Sequence, residues 1–199
     1  MAASPKKDRN NRRQQILESL ALMLEQSPGA RITTAKLAKE VGVTEAALYR
    51  HFPSKGKMFE GLIEFVEESV FSRINRIMQE ETTSQAKIEA ILTLVLAFAD
   101  KNPGICRILM GDALAGEKDR LRTRVSQFFE KLEAQIKRIL REAAIREGKR
   151  STLVASKASN LLVAIVEGRI HQFVRTEFKQ SPLDGWSDQW AYLSTGLLV

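Results

Sequence analysis

Residues 32–55 read ITTAKLAKEVGVTEAALYRHFPSK. Thr33 or Thr34 is placed to cap a short helix that runs through AKLAKEV to Gly42, a natural C-terminal stop. Thr44 caps a second short helix, EAALYRHF, so residues 42–44 alone separate the two. A turn that tight between two helices is the helix-turn-helix signature. Leu37, Ala38, Val41, Val43, Leu48 and Phe52 would form the small core, with Ala38 where the helices cross. Facing outward are Thr33, Thr34, Lys36, Thr44, Glu45, Ala46, Tyr49, Arg50, His51 and Lys55.

That outward set has the chemistry of a duplex-DNA reader. Threonine hydroxyls, Tyr49, His51 and Lys55 can hold phosphate oxygens, and the capped start of the next helix adds backbone N–H groups. The N-terminal part of the second helix would enter the major groove. There Ala46 is small enough to meet a thymine methyl, Glu45 could accept from cytosine, and Arg50 could reach guanine or a phosphate. Basic residues at 6, 7, 9, 12 and 13 would add a salt-sensitive backbone attraction. The same pattern also occurs in ordinary surface hairpins with solvated charges, so spacing alone leaves both readings open.

Outward from this unit the chain reads as helix after helix. Residues 1–9 form a short basic arm, expected to be disordered. Ile16, Leu20 and Leu24, with Leu17 and Met23, recur at helical spacing before SPGAR at 27–31. Pro53 blocks direct continuation after Phe52, and Ser54 caps a fourth helix to about Glu81, about 40 Å long at 1.5 Å per residue. TTS at 82–84 starts a fifth helix ending at KNPG, and ICRILMG makes a shorter one before the loop DALAGE. Residues 118–147 carry an apolar stripe at alternating threes and fours, coiled-coil-like in period, closed by Gly148. Ser151 is expected to cap a helix to about Phe178. Its small residues Ala155, Ala158, Ala164 and Gly168 suit burial on one side in its own core and on the other in a partner. A last segment starts near Trp186.

Composition agrees with an all-α protein: 44% of the 199 residues are hydrophobic, with only 11 Gly and 5 Pro. The formal charge of +7, from 31 basic against 24 acidic residues, suits a polyanionic partner. One cysteine excludes an internal disulfide and fits a reducing compartment. No apolar run reaches the length of a bilayer span, so a cytoplasmic protein without stable membrane insertion is expected. Two histidines and one cysteine are too few for a His/Cys metal cluster, and no glycine-rich phosphate loop or nucleophile elbow occurs. Neither a metal, a cofactor nor an enzyme activity is expected.

The string ITTAKLAKEVGVTEAALYRHFPSKGKMFEGLIE resembles the DNA-binding head of the TetR-type regulators. The resemblance implies a three-helix N-terminal head, residues 10–54, joined by a long helix to a helical regulatory and dimerisation body, residues 55–199. It implies about nine helices in all, and a homodimer formed through the last two long helices. Most such regulators bind a small molecule in the body. Phe98, Phe128, Phe129 and Met110 could line a pocket for one, although aromatics at helical spacing more often belong to the core. A ligand-gated transcriptional repressor is the alternative reading.

RRQQILESLALMLE, RITTAKLA, EAALYRHFPSK, LIEF, NPG, RIL and FVRTEFK, together with the terminal tryptophan-containing segment, are similar to the nucleoid occlusion factors of gamma-proteobacteria. What this implies is a nucleoid-associated division inhibitor that binds palindromic chromosomal sites and antagonises polymers of FtsZ, the tubulin-like division protein. The implied FtsZ surface lies between the fourth and fifth helices, at Phe65, Arg73, Leu94, Ala97, Lys101 and Asn102. Ala97 and Lys101 stand where the best-known members carry glycine and arginine. There the methyl would narrow the implied groove slightly, and lysine keeps the charge but loses the planar fork.

Overall fold

The computed structural model describes residues 5–27, 32–117 and 119–199, the side chains of residues 5–10 excepted. Among the described residues there are nine α-helices and one 3₁₀ turn. The helices are α1 (Pro5–Gln26), α2 (Thr34–Val41), α3 (Glu45–His51), α4 (Lys55–Glu80), α5 (Ser84–Lys101), α6 (Pro103–Leu109), α7 (Asp119–Arg146), α8 (Ala155–Arg175) and α9 (Trp186–Ser194). The 3₁₀ turn, Asp112–Leu114, lies between α6 and α7.

Local chemistry sets most of these boundaries. Each of α2, α3, α4 and α5 starts behind a hydroxyl that accepts a backbone N–H three residues on. Thr33 takes Lys36, Thr44 takes Ala47, Ser54 takes Lys57 and Thr83 takes Ala86. Gly42, at φ 72°, closes α2 in the left-handed region, and the N–H of Val43 reaches back to the Ala38 carbonyl.

Three expectations about helix ends are corrected. Residues 5–9 belong to α1 and not to a disordered arm, because lysine and arginine propagate a helix well behind a proline at its first position. Residues 1–4 and 28–31, and the side chains of Lys6, Lys7 and Arg9, lie outside the described residues. Ser151 does not cap α8. Arg150 exchanges two backbone hydrogen bonds with Val199, Thr152 donates to the Gly196 carbonyl, and the chain becomes helical only at Ala155. At its other end α8 stops at Arg175, because Glu177 and Phe178 take φ of 51° and 64° and fold the Phe178 ring back onto Phe173.

A continuous apolar cluster joins the helices, from Ile16 and Leu20 of α1 to Ile170 and Phe173 of α8. Phe128 and Phe129 are buried in it, with Phe71 edge-on to Phe128, so these rings are core. The first helix is fastened to α6. Gly104 lets the two backbones approach closely, and the buried Arg107 donates to the carbonyls of Leu24 and Ser27, both at 2.9 Å. One face of α4 is bonded to α7 by charge. Arg124 bridges Glu64 and Glu67, Lys131 adds a second cation to Glu67, and Arg120 meets Glu60. Burial alone would push the Glu67 carboxyl up, but Arg124 and Lys131 hold it below its ordinary range.

The two long helices near the C-terminus differ in what they show to solvent. The apolar stripe of α7, from Leu121 to Ala143, is turned into its own core. Exposed on α8 are Leu161, Ala164 and Gly168, with Tyr192 of α9 81% exposed close by. No helix among the described residues is long and apolar enough to cross a membrane.

Candidate functional site

Nine of the ten residues singled out for DNA lie on α2, α3 and their caps Thr33 and Thr44, and the tenth, Lys55, opens α4. Thr33, Lys36, Thr44, Glu45, Ala46, Tyr49 and Arg50 are exposed, while Thr34, His51 and Lys55 are half-buried. The small core beneath them holds Leu37, Ala38, Val41, Leu48 and Phe52. Arg13 of α1 stacks over the Phe52 ring at 4.6 Å, which ties the first helix to the end of α3.

Two contacts here join residues far apart in the chain. Tyr49 donates its hydroxyl to Thr34 at 3.2 Å, and Thr34 in turn donates to the Glu45 carboxylate at 2.8 Å. Glu45, read from the sequence as an acceptor for cytosine, is thus held by a threonine eleven positions earlier. Lys55, the first residue of α4, lies over the Phe59 ring and pairs with Glu117 at 3.0 Å.

A second concavity lies on the opposite side of α4 from its ion pairs with α7. Phe65, Ser69 and Arg73 of α4 face Leu94, Ala97, Phe98 and Lys101 of α5, with Asn102 at the end, around a groove of about 380 Å³. The spacing explains the alignment: residues 65, 69 and 73, and residues 94, 97, 98 and 101, each fall on one helix face. All six positions picked out from the sequence therefore line one groove, joined by Ser69 and Phe98, which were not assigned to it. Ser69 was findable, since it lies one turn from both Phe65 and Arg73. Phe98 is buried and its ring meets Phe65 at 6.1 Å, while Asn102 is fixed by donating to the Phe98 carbonyl at 2.7 Å. Arg73 and Lys101 are exposed, and Phe65 is 37% exposed. The groove thus offers a greasy floor between two cations and an amide, which suits a peptide carrying both apolar and acidic groups.

Elsewhere, a cavity of about 300 Å³ between α6, α7 and α8 is lined by Phe129 and Leu109 but also by Glu130, Glu133 and Glu167. Burial, reinforced by Glu133, pushes the Glu167 carboxyl above its ordinary range. Among the described residues, no three His, Cys, Asp or Glu side chains are grouped to hold a metal ion. Cys106 is fully buried, and that burial drives its thiol far above its ordinary range.

Residues 16–62 match the family of bacterial regulatory proteins of the tetR type, and residues 80–198 match the SlmA-like, tetracyclin repressor-like C-terminal domain. The nucleoid occlusion factor SlmA of Marinomonas sp. (strain MWYL1) is 59% identical over 191 residues, covering 96% of this chain and 97% of its own. That of Shewanella halifaxensis is 59% identical over 198 residues, covering 100% and 99%. Among solved structures, a TetR transcription regulator from Haloarcula marismortui superposes with a TM-score of 0.79 at 17% identity, over 96% of this chain and 100% of its own. The regulator FadR from Bacillus subtilis, in complex with stearoyl-CoA, gives 0.73 at 16% identity, over 92% and 98%. At such identities the solved structures establish the TetR-type fold alone. Full-length similarity to the curated relatives goes further: the chain belongs to the SlmA family of nucleoid occlusion factors, built on that fold.

Proposed function

We propose that this protein is a nucleoid-associated division inhibitor that engages palindromic chromosomal sites through its head and FtsZ through the groove between α4 and α5. The observation that carries the reading is the groove itself. Six positions implied by family resemblance, scattered over residues 65–102, converge on one concave surface with an apolar floor and cationic edges. In the head, Tyr49, Arg50, His51, Lys36 and Lys55, with the hydroxyls of Thr33, Thr34 and Thr44, supply phosphate contacts. Ala46 and Arg50 are the base-reading candidates. Glu45 is better suited to holding Thr34 and Tyr49 in place than to reading cytosine, given its contact with Thr34. Palindromic recognition needs two heads, so the working unit is a homodimer. Its contact was expected on the last two long helices. The exposed stripe of Leu161, Ala164 and Gly168 favours α8, flanked by Tyr192, over the charged outer face of α7. The head, residues 10–54, and the body, residues 55–199, divide these tasks between DNA and protein partners.

The test has two steps. A genome-wide map of binding sites in the host is expected to show many palindromic sites spread over the chromosome but depleted around the replication terminus. Sedimentation of purified FtsZ polymers with the protein and one such duplex should then show polymer loss, abolished by Arg73→Ala. A few sites, each beside a promoter, together with unaffected FtsZ polymers, would reject the proposal in favour of a ligand-gated repressor.

A further inference from the structure

We infer that Glu117 is an internal counter-anion for the head, occupying by day-to-day default the place at the start of α4 that a DNA phosphate takes on binding. The inference rests on the reading of Lys55 as a phosphate contact. Lys55 is the first residue of α4, directly after its cap Ser54. A helix start carries N–H groups without intrahelical partners and the positive end of the macrodipole, so an anion is favoured there. In this structure the anion beside that turn comes from the body. The Glu117 carboxylate meets the Lys55 ammonium at 3.0 Å, and its second oxygen lies 3.9 Å from where a Cβ on Gly56 would stand. Both side chains are mostly shielded, at 22% and 17% exposure, so solvent screens the pair less than it would a surface contact.

Glu117 is not part of the head. It sits between the 3₁₀ turn and α7, and its own N–H donates to the Leu114 carbonyl. A lysine ammonium has three donors, but a phosphate brought to it would lie within a few ångströms of the carboxylate. Like charges at that distance repel, so a phosphate must displace Glu117 or bind more weakly beside it. Releasing Glu117 also frees the segment before α7 from α4. The same ion pair therefore lowers DNA affinity and ties the first turn of α4, directly behind the head, to the segment before α7.

The test measures binding to a palindromic duplex from the strongest mapped chromosomal site, and to a random duplex of the same length, over a range of salt. The proteins are the full chain, Glu117→Gln, Lys55→Gln and the double variant, each checked for an unchanged melting temperature. Glu117→Gln is expected to tighten binding to both duplexes about two- to fivefold, the range of a partly shielded ion pair. Lys55→Gln should weaken binding and flatten the salt slope by about one unit. Because Glu117 acts through Lys55, the double variant should match Lys55→Gln. Unchanged or weaker binding by Glu117→Gln, with Lys55→Gln still weakened, overturns the inference while leaving the DNA reading intact. No effect of Lys55→Gln on a protein that binds the duplex removes Lys55 from the phosphate contacts, and the inference with it. Failure of the unaltered protein to bind either duplex rejects the DNA reading itself.

Discussion

Gly104→Ala should be among the most damaging single-methyl changes available in this chain. A Cβ at position 104 would stand 2.0 Å from the Ala21 carbonyl oxygen and 2.9 Å from the Glu25 nitrogen. Both obstacles are backbone of α1, so no side-chain rotation relieves them. Restoring even a 3.0 Å separation from the Ala21 oxygen requires α1 and α6 to part by about 1 Å along that line. Overpacking of this kind costs about 1–3 kcal/mol. One turn further along α6, Arg107 depends on the same approach for its bonds to Leu24 and Ser27. Weakening bonds from a buried guanidinium adds about 1.5–3 kcal/mol. A combined loss of about 2.5–6 kcal/mol corresponds, in a chain of this size, to a melting temperature lower by about 5–24 °C. Thermal unfolding followed by far-UV circular dichroism measures it directly. A melting temperature within about 2 °C of the parent would show that α1 and α6 are not locked together as the structure has them.

Three further outcomes follow from particular contacts. Glu147 accepts from both the hydroxyl and the backbone N–H of Ser84, and chiefly through the hydroxyl its carboxyl is held below the ordinary value of 4.5. The folded form thus favours the ionised state, so stabilisation is present above that value and fades as pH falls through the depressed one. Glu147→Gln should lower the melting temperature near neutral pH, with the gap closing as pH falls below 4.5; a gap independent of pH would contradict the contact. Glu167 has the opposite sign, since its raised folded pKa makes the ionised carboxylate destabilising above its ordinary range. Glu167→Gln should therefore raise the melting temperature near neutral pH and change nothing below about pH 4, and a loss at neutral pH would argue for a cationic partner at that carboxylate. Ala164→Glu puts a charge in the exposed stripe of α8, and light scattering on the eluted protein should show monomer in place of dimer. A persisting dimer would move the interface elsewhere.

How much of this was visible beforehand depends on the reach of the contacts. Thr33, Thr44 and Ser54 accept N–H groups three residues on and Gly42 donates to carbonyls three and four residues back, so the borders of α2, α3 and the start of α4 were legible from residue type alone. The border of α8 was not, because Ser151 looks like a cap until Val199 is known to pair with Arg150. Glu45 shows the same reach: its hydrogen-bond partner Thr34 is on another helix, which residue type alone does not reveal. In the groove, periodicity aligned 65 with 73 and 94 with 101, but nothing local says that those two faces meet. That came from resemblance, and the packing of Phe65 on Phe98 supplies its physical basis.

The position of α4 decides how its two ends communicate. On one side Glu60, Glu64 and Glu67 hold α7 through arginine and lysine; on the other Phe65, Ser69 and Arg73 face α5 across the groove. The ion pairs are partly exposed, and each contributes at most about 1 kcal/mol. Helix α4 also buries Val66, Val70 and Ile74 in the core, each such side chain contributing about 1.5–3 kcal/mol, and its Phe71 packs edge-on to Phe128 of α7. Helix α4 is therefore held to α7 by charge and by aromatic packing together, and to α5 through the Phe65–Phe98 contact beneath the groove. Lys55 at the start of α4 and Phe65, Ser69 and Arg73 along it thus place the proposed DNA contact and the proposed FtsZ groove on one continuous helix, the direct route that coupling between them would take.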